Sequence, residues 1–141
     1  MAGYSHRSLV DKLGIAAEHR VQIAYEPRDV DLMSLLEPLP AGVQVLRRAG
    51  TKPVDVALCF VESYRDATAR LPRSQPLITK SGAIWAIWPK KSSQRFKDGP
   101  RDVSEDVIRN QALELGLVDV KVCAVDETWS GLKLVWRLAN R

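Results

Sequence analysis

Residues 121–138 read Lys121-Val122-Cys123-Ala124-Val125-Asp126-Glu127-Thr128-Trp129-Ser130-Gly131-Leu132-Lys133-Leu134-Val135-Trp136-Arg137-Leu138. Lys121 to Val125 is a short apolar, β-branched run. Leu132 to Leu138 alternates apolar and polar residues, as a strand with one covered face does. Only the six residues Asp126 to Gly131 separate the two runs. A parallel crossover needs a dozen or more residues, so these two strands are expected to run antiparallel.

The chain upstream has a different rhythm. Strand-like runs fall at Arg20–Tyr25, Gly42–Leu46, Val54–Val61 and Ala83–Trp88. The third and fourth are almost wholly apolar, as strands covered on both faces are. Helical signals fill most of the gaps. Ser5 is placed to cap a helix ending at Leu13 before Gly14, within an N-terminal helical segment of residues 1–17. Asp31 to Leu36 makes a short helix ended by Glu37-Pro38. Glu62 to Leu71 makes another, which Pro72 and Pro76 are expected to break. A helix capped at Ser104 has Glu105 and Asp106 in its first turn, buries Val107, Ile108, Ala112 and Leu115, and closes at Gly116. Residues 92–101 are polar, contain Gly99-Pro100, and read as a mobile loop.

Strands alternating with helices imply a mostly parallel sheet with right-handed crossovers and helices on both faces. The expected fold is therefore α/β: a Rossmann-like three-layer sandwich around six strands, with an antiparallel hairpin at its C-terminal end. The 141 residues suit one domain. No run approaches the roughly 20 apolar residues of a membrane helix. Residues 1–7 carry no apolar signal core, so a cytoplasmic location is expected. Cys59 and Cys123 sit in apolar runs and read as reduced, buried thiols. His6 and His19 read as surface residues, and no residues have metal-ligand spacing.

The formal net charge of +4 is unevenly spread. Residues 51–101 carry ten basic and four acidic side chains. In an open parallel sheet, ligands bind beyond the carboxyl ends of the strands. That rule draws attention to Tyr25-Glu26, Arg47-Arg48, Glu62-Ser63, Pro89 to Ser93 and Asp126 to Trp129. Lys90, Lys91, Ser92 and Ser93 offer two ammonium groups beside two hydroxyls, a combination suited to a phosphate or carboxylate. The same residues also read as a solvated loop whose lysines pair with Asp126 or Glu127. Asp126 and Glu127 themselves read either as a base or cation site, or as a turn cap that neutralises those lysines. Trp129 reads as pocket lining or as a cover for the sheet end, and Trp136 as core. Trp85 and Trp88, three residues apart, should face opposite sides of the sheet.

The alternating chain with its terminal hairpin resembles a trimmed class I S-adenosylmethionine-dependent methyltransferase fold over roughly residues 18–139. The resemblance implies a glycine-rich turn after the first strand, but here that turn reads Tyr25-Glu26-Pro27-Arg28-Asp29-Val30-Asp31. It also implies an acid at the end of the second strand to take the ribose hydroxyls, where Arg47-Arg48 stands instead. At the level of local sequence, the chain resembles a family of small bacterial proteins catalogued as a domain of unknown function. That likeness rests on Gly3-Tyr4-Ser5, Leu13-Gly14-Ile15, Leu39-Pro40, Trp88 to Ser93, and Leu117 to Asp119 with Lys121 to Leu132.

Three functions compete on this reading. The first is a binding module, non-catalytic and without a cofactor, that holds a small anion or an acidic partner segment at Lys90, Lys91, Ser92, Ser93, Asp126, Glu127 and Trp129. The second is a divergent S-adenosylmethionine-dependent methyltransferase. The third is a nucleic-acid-binding protein, disfavoured because no aromatic residues interleave the basic ones.

Overall fold

The period-2 alternation of the central strands sorts their side chains into two apolar layers. In β3, Val54–Phe60, the residues Val56, Leu58 and Phe60 face one side, and Ala57 and Cys59 face the other. In β4, Ile78–Pro89, Trp85 and Ile87 join the first layer, and Ile84, Ala86 and Trp88 join the second. The two tryptophans therefore lie on opposite faces, as the sequence predicts. The computed structural model describes residues 8–141.

The sheet has six strands: β1 (Arg20–Ala24), β2 (Gln44–Leu46), β3, β4, β5 (Leu117–Ala124) and β6 (Trp129–Trp136). Their order is β2-β1-β3-β4-β6-β5. The pairs β1–β2, β1–β3 and β3–β4 are parallel, whereas β4–β6 and β5–β6 are antiparallel. Helices α1 (Leu9–Lys12) and α2 (Leu32–Leu36) cover the first face through Val10, Leu32 and Leu36. Helices α3 (Tyr64–Ser74) and α5 (Glu105–Glu114) cover the second through Ala67, Leu71, Ile108 and Ala112. Between them lies the short α4, Gln94–Asp98. The three-layer α/β sandwich with an antiparallel C-terminal hairpin is the fold expected from the sequence.

Serine caps start four of the helices. The side chains of Ser8, Ser63, Ser93 and Ser104 accept from the backbone N–H groups of Asp11, Asp66, Phe96 and Val107 at 2.9–3.2 Å. Each cap satisfies a helix-end donor that would otherwise lack a partner. The expected cap at Ser5 lies outside the described residues, and Ser8 caps α1. The capping at Ser104 is as predicted.

Several boundaries differ from expectation. Pro72 lies inside α3 rather than ending it; the break comes at the 3-10 turn Gln75–Leu77. β4 begins five residues early, because Ile78 pairs with Val54 across a register shift that admits a polar start. The expected turn residues Trp129, Ser130 and Gly131 belong to β6, opposite Pro89, Trp88 and Ile87. Gly131 is needed there, since a Cβ would lie 3.0 Å from the Trp85 ring. Residues 92–101, expected to be a mobile loop, instead hold α4, capped by the buried Ser93. Trp136, expected in the core, is half-buried, with the Lys80 ammonium 3.9 Å from its ring centre. His19, expected at the surface, is half-buried and accepts from the Ala16 N–H.

Cys59 and Cys123 are free thiols. Cys59 is completely buried, and burial pushes its thiol up to about 11. Since the thiolate is the reactive form, Cys59 is expected to resist iodoacetamide at pH 8 in the folded protein and to react once the protein is unfolded. Mass spectrometry of the alkylated peptides checks this; rapid native labelling of Cys59 would contradict its burial. Among the described residues, no helix is long and apolar enough to cross a membrane.

Candidate functional site

The ends of β1 and β3, helix α4 and the β5–β6 hairpin enclose a crevice of about 800 Å³ at the carboxyl edge of the sheet. That is within the size range of small-molecule sites. Its construction starts at the end of β1, where Tyr25 takes a left-handed φ of 60°. The chain then folds back through a turn tied by Glu26, whose carboxylate accepts from the Leu32 N–H at 2.8 Å and pairs with Arg47. Asp31 caps α2 through the Ser34 N–H. This leaves Asp29 at the crevice rim, with its side chain 71% exposed.

Arg95 of α4 reaches across the crevice. Its Nη1 donates to both oxygens of Asp29 at 2.7 and 2.6 Å, and its Nε donates to Glu62, just past β3, at 2.7 Å. The guanidinium carbon lies 5.2 Å from the ring centre of Trp129. The hydrogen bonds that Arg95 donates to Glu62 and then to Asp29 raise its own pKa, and the one Asp29 accepts holds its carboxyl below its ordinary value. The folded-state pKa of Asp29 is depressed. The pairing is therefore present above the ordinary carboxylate range and is lost as pH falls through that lowered value.

Trp129 is buried and packs edge-on against Phe60, with ring centres 5.1 Å apart. It both covers the sheet end and lines the crevice. Asp126 Oδ1 accepts from the N–H groups of Thr128 and Trp129 at 2.8 and 2.9 Å, which closes the hairpin turn. Asp126→Ala leaves both donors without that acceptor. It is expected to cost about 1–2 kcal/mol and to lower the melting temperature by roughly 3–8 °C. Thermal unfolding followed by circular dichroism measures this, and an unchanged melting temperature would contradict the turn role.

The residues singled out by the sequence do not form one site. Lys90 is anchored through its backbone: its N–H donates to the Thr128 carbonyl, and its carbonyl accepts from the Ser93 N–H and hydroxyl. Ser93 is a helix cap. The side chains of Lys90 and Lys91 line a separate groove of about 440 Å³ beside Ser104, Glu105 and Asp106. Ser92 and Glu127 are exposed. Neither Lys90 nor Lys91 forms an ion pair with Asp126 or Glu127 among the described residues. Only Asp126 and Trp129 of the predicted set line the crevice.

Three residues that matter there, Asp29, Glu62 and Arg95, were outside the predicted set. Glu62 was legible as a strand-end residue. Arg95 was hidden because Ser93-Gln94-Arg95-Phe96 reads as loop unless Ser93 is recognised as a cap.

The charge of the crevice is the reverse of that expected. Asp29, Asp31, Glu62, Asp98 and Asp126 line it, against Arg95 alone. These carboxylates are spread around the rim, and no group of three or more His, Cys, Asp or Glu among the described residues is placed to hold a metal ion.

No protein-family model matches the chain, and no curated protein matches it. Solved structures do match its fold. Magnesium protoporphyrin IX methyltransferase from Synechocystis PCC 6803 with bound SAH superposes with a TM-score of 0.61 at 12% identity, covering 92% of this chain and 78% of the other. A SAM-dependent methyltransferase from Aquifex aeolicus gives 0.59 at 13% identity, with coverages of 89% and 86%. One from Thiobacillus denitrificans, in complex with S-adenosyl-L-homocysteine, gives 0.58 at 11% identity, with coverages of 95% and 92%. The fold is thus the Rossmann-like fold of class I methyltransferases, while the likeness to a small bacterial family finds no matching family model.

These neighbours overturn the expectation of a non-catalytic module for anions at the sheet edge. The physical reason agrees: carboxylates outnumber cations in the lining of the crevice at that edge, and the lysines that suggested an anion lie outside it.

Proposed function

We propose that this protein is a divergent methyltransferase of the S-adenosylmethionine-dependent class, and that its acidic crevice takes the cationic end of that cofactor. The observation that carries the reading is the excess of carboxylates in the crevice, within a fold shared with such enzymes. S-adenosylmethionine carries a sulfonium, an ammonium and a carboxylate, for a net positive charge. Asp29, Glu62 and Asp126 fit the two cations, and Arg95, which holds Asp29 and Glu62 and lies over the Trp129 ring, fits the carboxylate once it yields those partners. The ribose end does not fit the usual hold. The β1 turn has no glycine, and the expected acid after β2 is replaced by Arg47, already paired with Glu26. Bound there, the cofactor would supply an activated methyl group. The protein's part is to hold the positive charge between carboxylates and to limit water through α4 and Trp129.

Charge selection gives a test. S-adenosylhomocysteine has a neutral thioether in place of the sulfonium. Calorimetric titration is expected to show S-adenosylmethionine binding about tenfold or more tightly than S-adenosylhomocysteine, from one additional unit charge near partly exposed carboxylates. Equal affinities, or no heat from either at millimolar concentration, would retire the reading.

A further inference from the structure

A second pocket of opposite character lies on the α3 face of the sheet. Helices α3 and α5 pack over β3 to β6. β1 and the short edge strand β2 present a groove there of about 440 Å³. Three arginines, Arg47, Arg48 and Arg73, line it, and no acidic residue does. Arg47 is also the partner of Glu26, whereas Arg48 and Arg73 form no ion pair among the described residues.

The groove also holds a polar group that the fold alone does not explain. Gln22 is only 6% exposed in a strand whose neighbours are apolar, and its Oε1 has no hydrogen-bond donor among the described residues. Ser74, 2% exposed, lines the same groove, with its side chain hydrogen-bonded to Cys59. A buried acceptor without a donor carries the full cost of its desolvation. Leucine at this position would avoid that cost, so a carboxamide here calls for a ligand that donates to it.

We infer that this groove binds a phosphorylated small molecule bearing hydroxyls, with its phosphate on Arg48 and Arg73 and a hydroxyl donating to Gln22, whose enclosed Oε1 turns towards the groove to meet it. Each part follows from the lining. Two unpaired planar guanidiniums suit a phosphate, which accepts bidentate bonds from several directions. The donor that reaches Gln22 must be uncharged, because an ammonium would face three arginines, so a hydroxyl is the fitting group. The site is distinct from the Lys90–Ser93 loop and from the acidic crevice, and it stands whether or not the crevice binds S-adenosylmethionine.

Ribose 5-phosphate, ribose and inorganic phosphate are the probes, titrated calorimetrically and by thermal shift on the full chain. Ribose 5-phosphate is expected to bind at least about tenfold more tightly than either fragment, and Arg48→Ala and Gln22→Leu are each expected to weaken it about tenfold. Gln22→Leu is also expected to raise the melting temperature of the free protein, since it removes the unsatisfied amide. That readout shows the variant is folded when its binding is measured. Absence of binding at millimolar concentration, binding no tighter than inorganic phosphate, or affinity unchanged in both variants would overturn the inference.

Discussion

Trp85→Ala is expected to be the most destabilising single substitution in the core. Trp85 is completely buried in the middle of β4, between Leu58 of β3 and Lys133 of β6. Its Nε1–H donates to the carbonyl of Leu13 at 2.9 Å, tying the segment after α1 to the centre of the sheet. Removing the indole opens a cavity worth about 3–5 kcal/mol. It also takes from the Leu13 carbonyl a buried hydrogen bond worth about 1 kcal/mol or more. A loss of about 5 kcal/mol consumes much of the roughly 5–15 kcal/mol of a typical domain. The melting temperature should fall by roughly 10–20 °C, or the chain should fail to fold. Trp85→Phe keeps most of the volume and should cost less. Thermal melts of both variants measure the difference, and a fall of only a degree or two in Trp85→Ala would contradict this packing.

Glu62→Lys is expected to have the largest effect on ligand binding. Glu62 holds Arg95 from the β3 side and lines the crevice. The substitution removes a carboxylate, adds a cation, and frees Arg95 from one of its two partners. The charge in the crevice changes by two units where the sulfonium is proposed to lie. S-adenosylmethionine affinity should fall about a hundredfold, or about 2.7 kcal/mol. Glu114→Lys makes the same change of net charge at the exposed C-terminal end of α5, outside the crevice and at the opposite edge of the sheet. It should move the affinity by less than about threefold, since exposed charges beyond a Debye length of about 8 Å are screened at physiological salt. Equal losses in the two variants would show that net charge, not the crevice, governs binding.

The fold was legible because its main determinants are local or periodic. The six-residue link between two strand-like runs forces the hairpin, and the apolar runs of β3 and β4 mark the centre of the sheet. Boundaries failed where a residue's role depends on a distant partner. Polar Thr79 and Lys80 extend β4 only because Ile78 meets Val54, and Trp129 reads as a turn residue until Phe60 supplies its packing surface.

The site was less legible than the fold. Lysines and serines in a row suggested an anion, but side chains adjacent in sequence diverge once Ser93 caps a helix and Lys90 is pinned by its backbone. The acidic crevice draws on Asp29, Glu62, Asp98 and Asp126, from four separate segments. Nothing in their spacing announces that they converge.

If S-adenosylmethionine binds in the acidic crevice that Arg95 spans, nuclear magnetic resonance titration of the isotope-labelled protein will place it there. Adding S-adenosylmethionine should shift the backbone amides of Asp29, Glu62, Arg95 and Trp129, and should shift them less with S-adenosylhomocysteine. Shifts confined to Lys90 and Lys91, or to Arg47 and Arg48, would contradict the assignment, as would a spectrum that does not change.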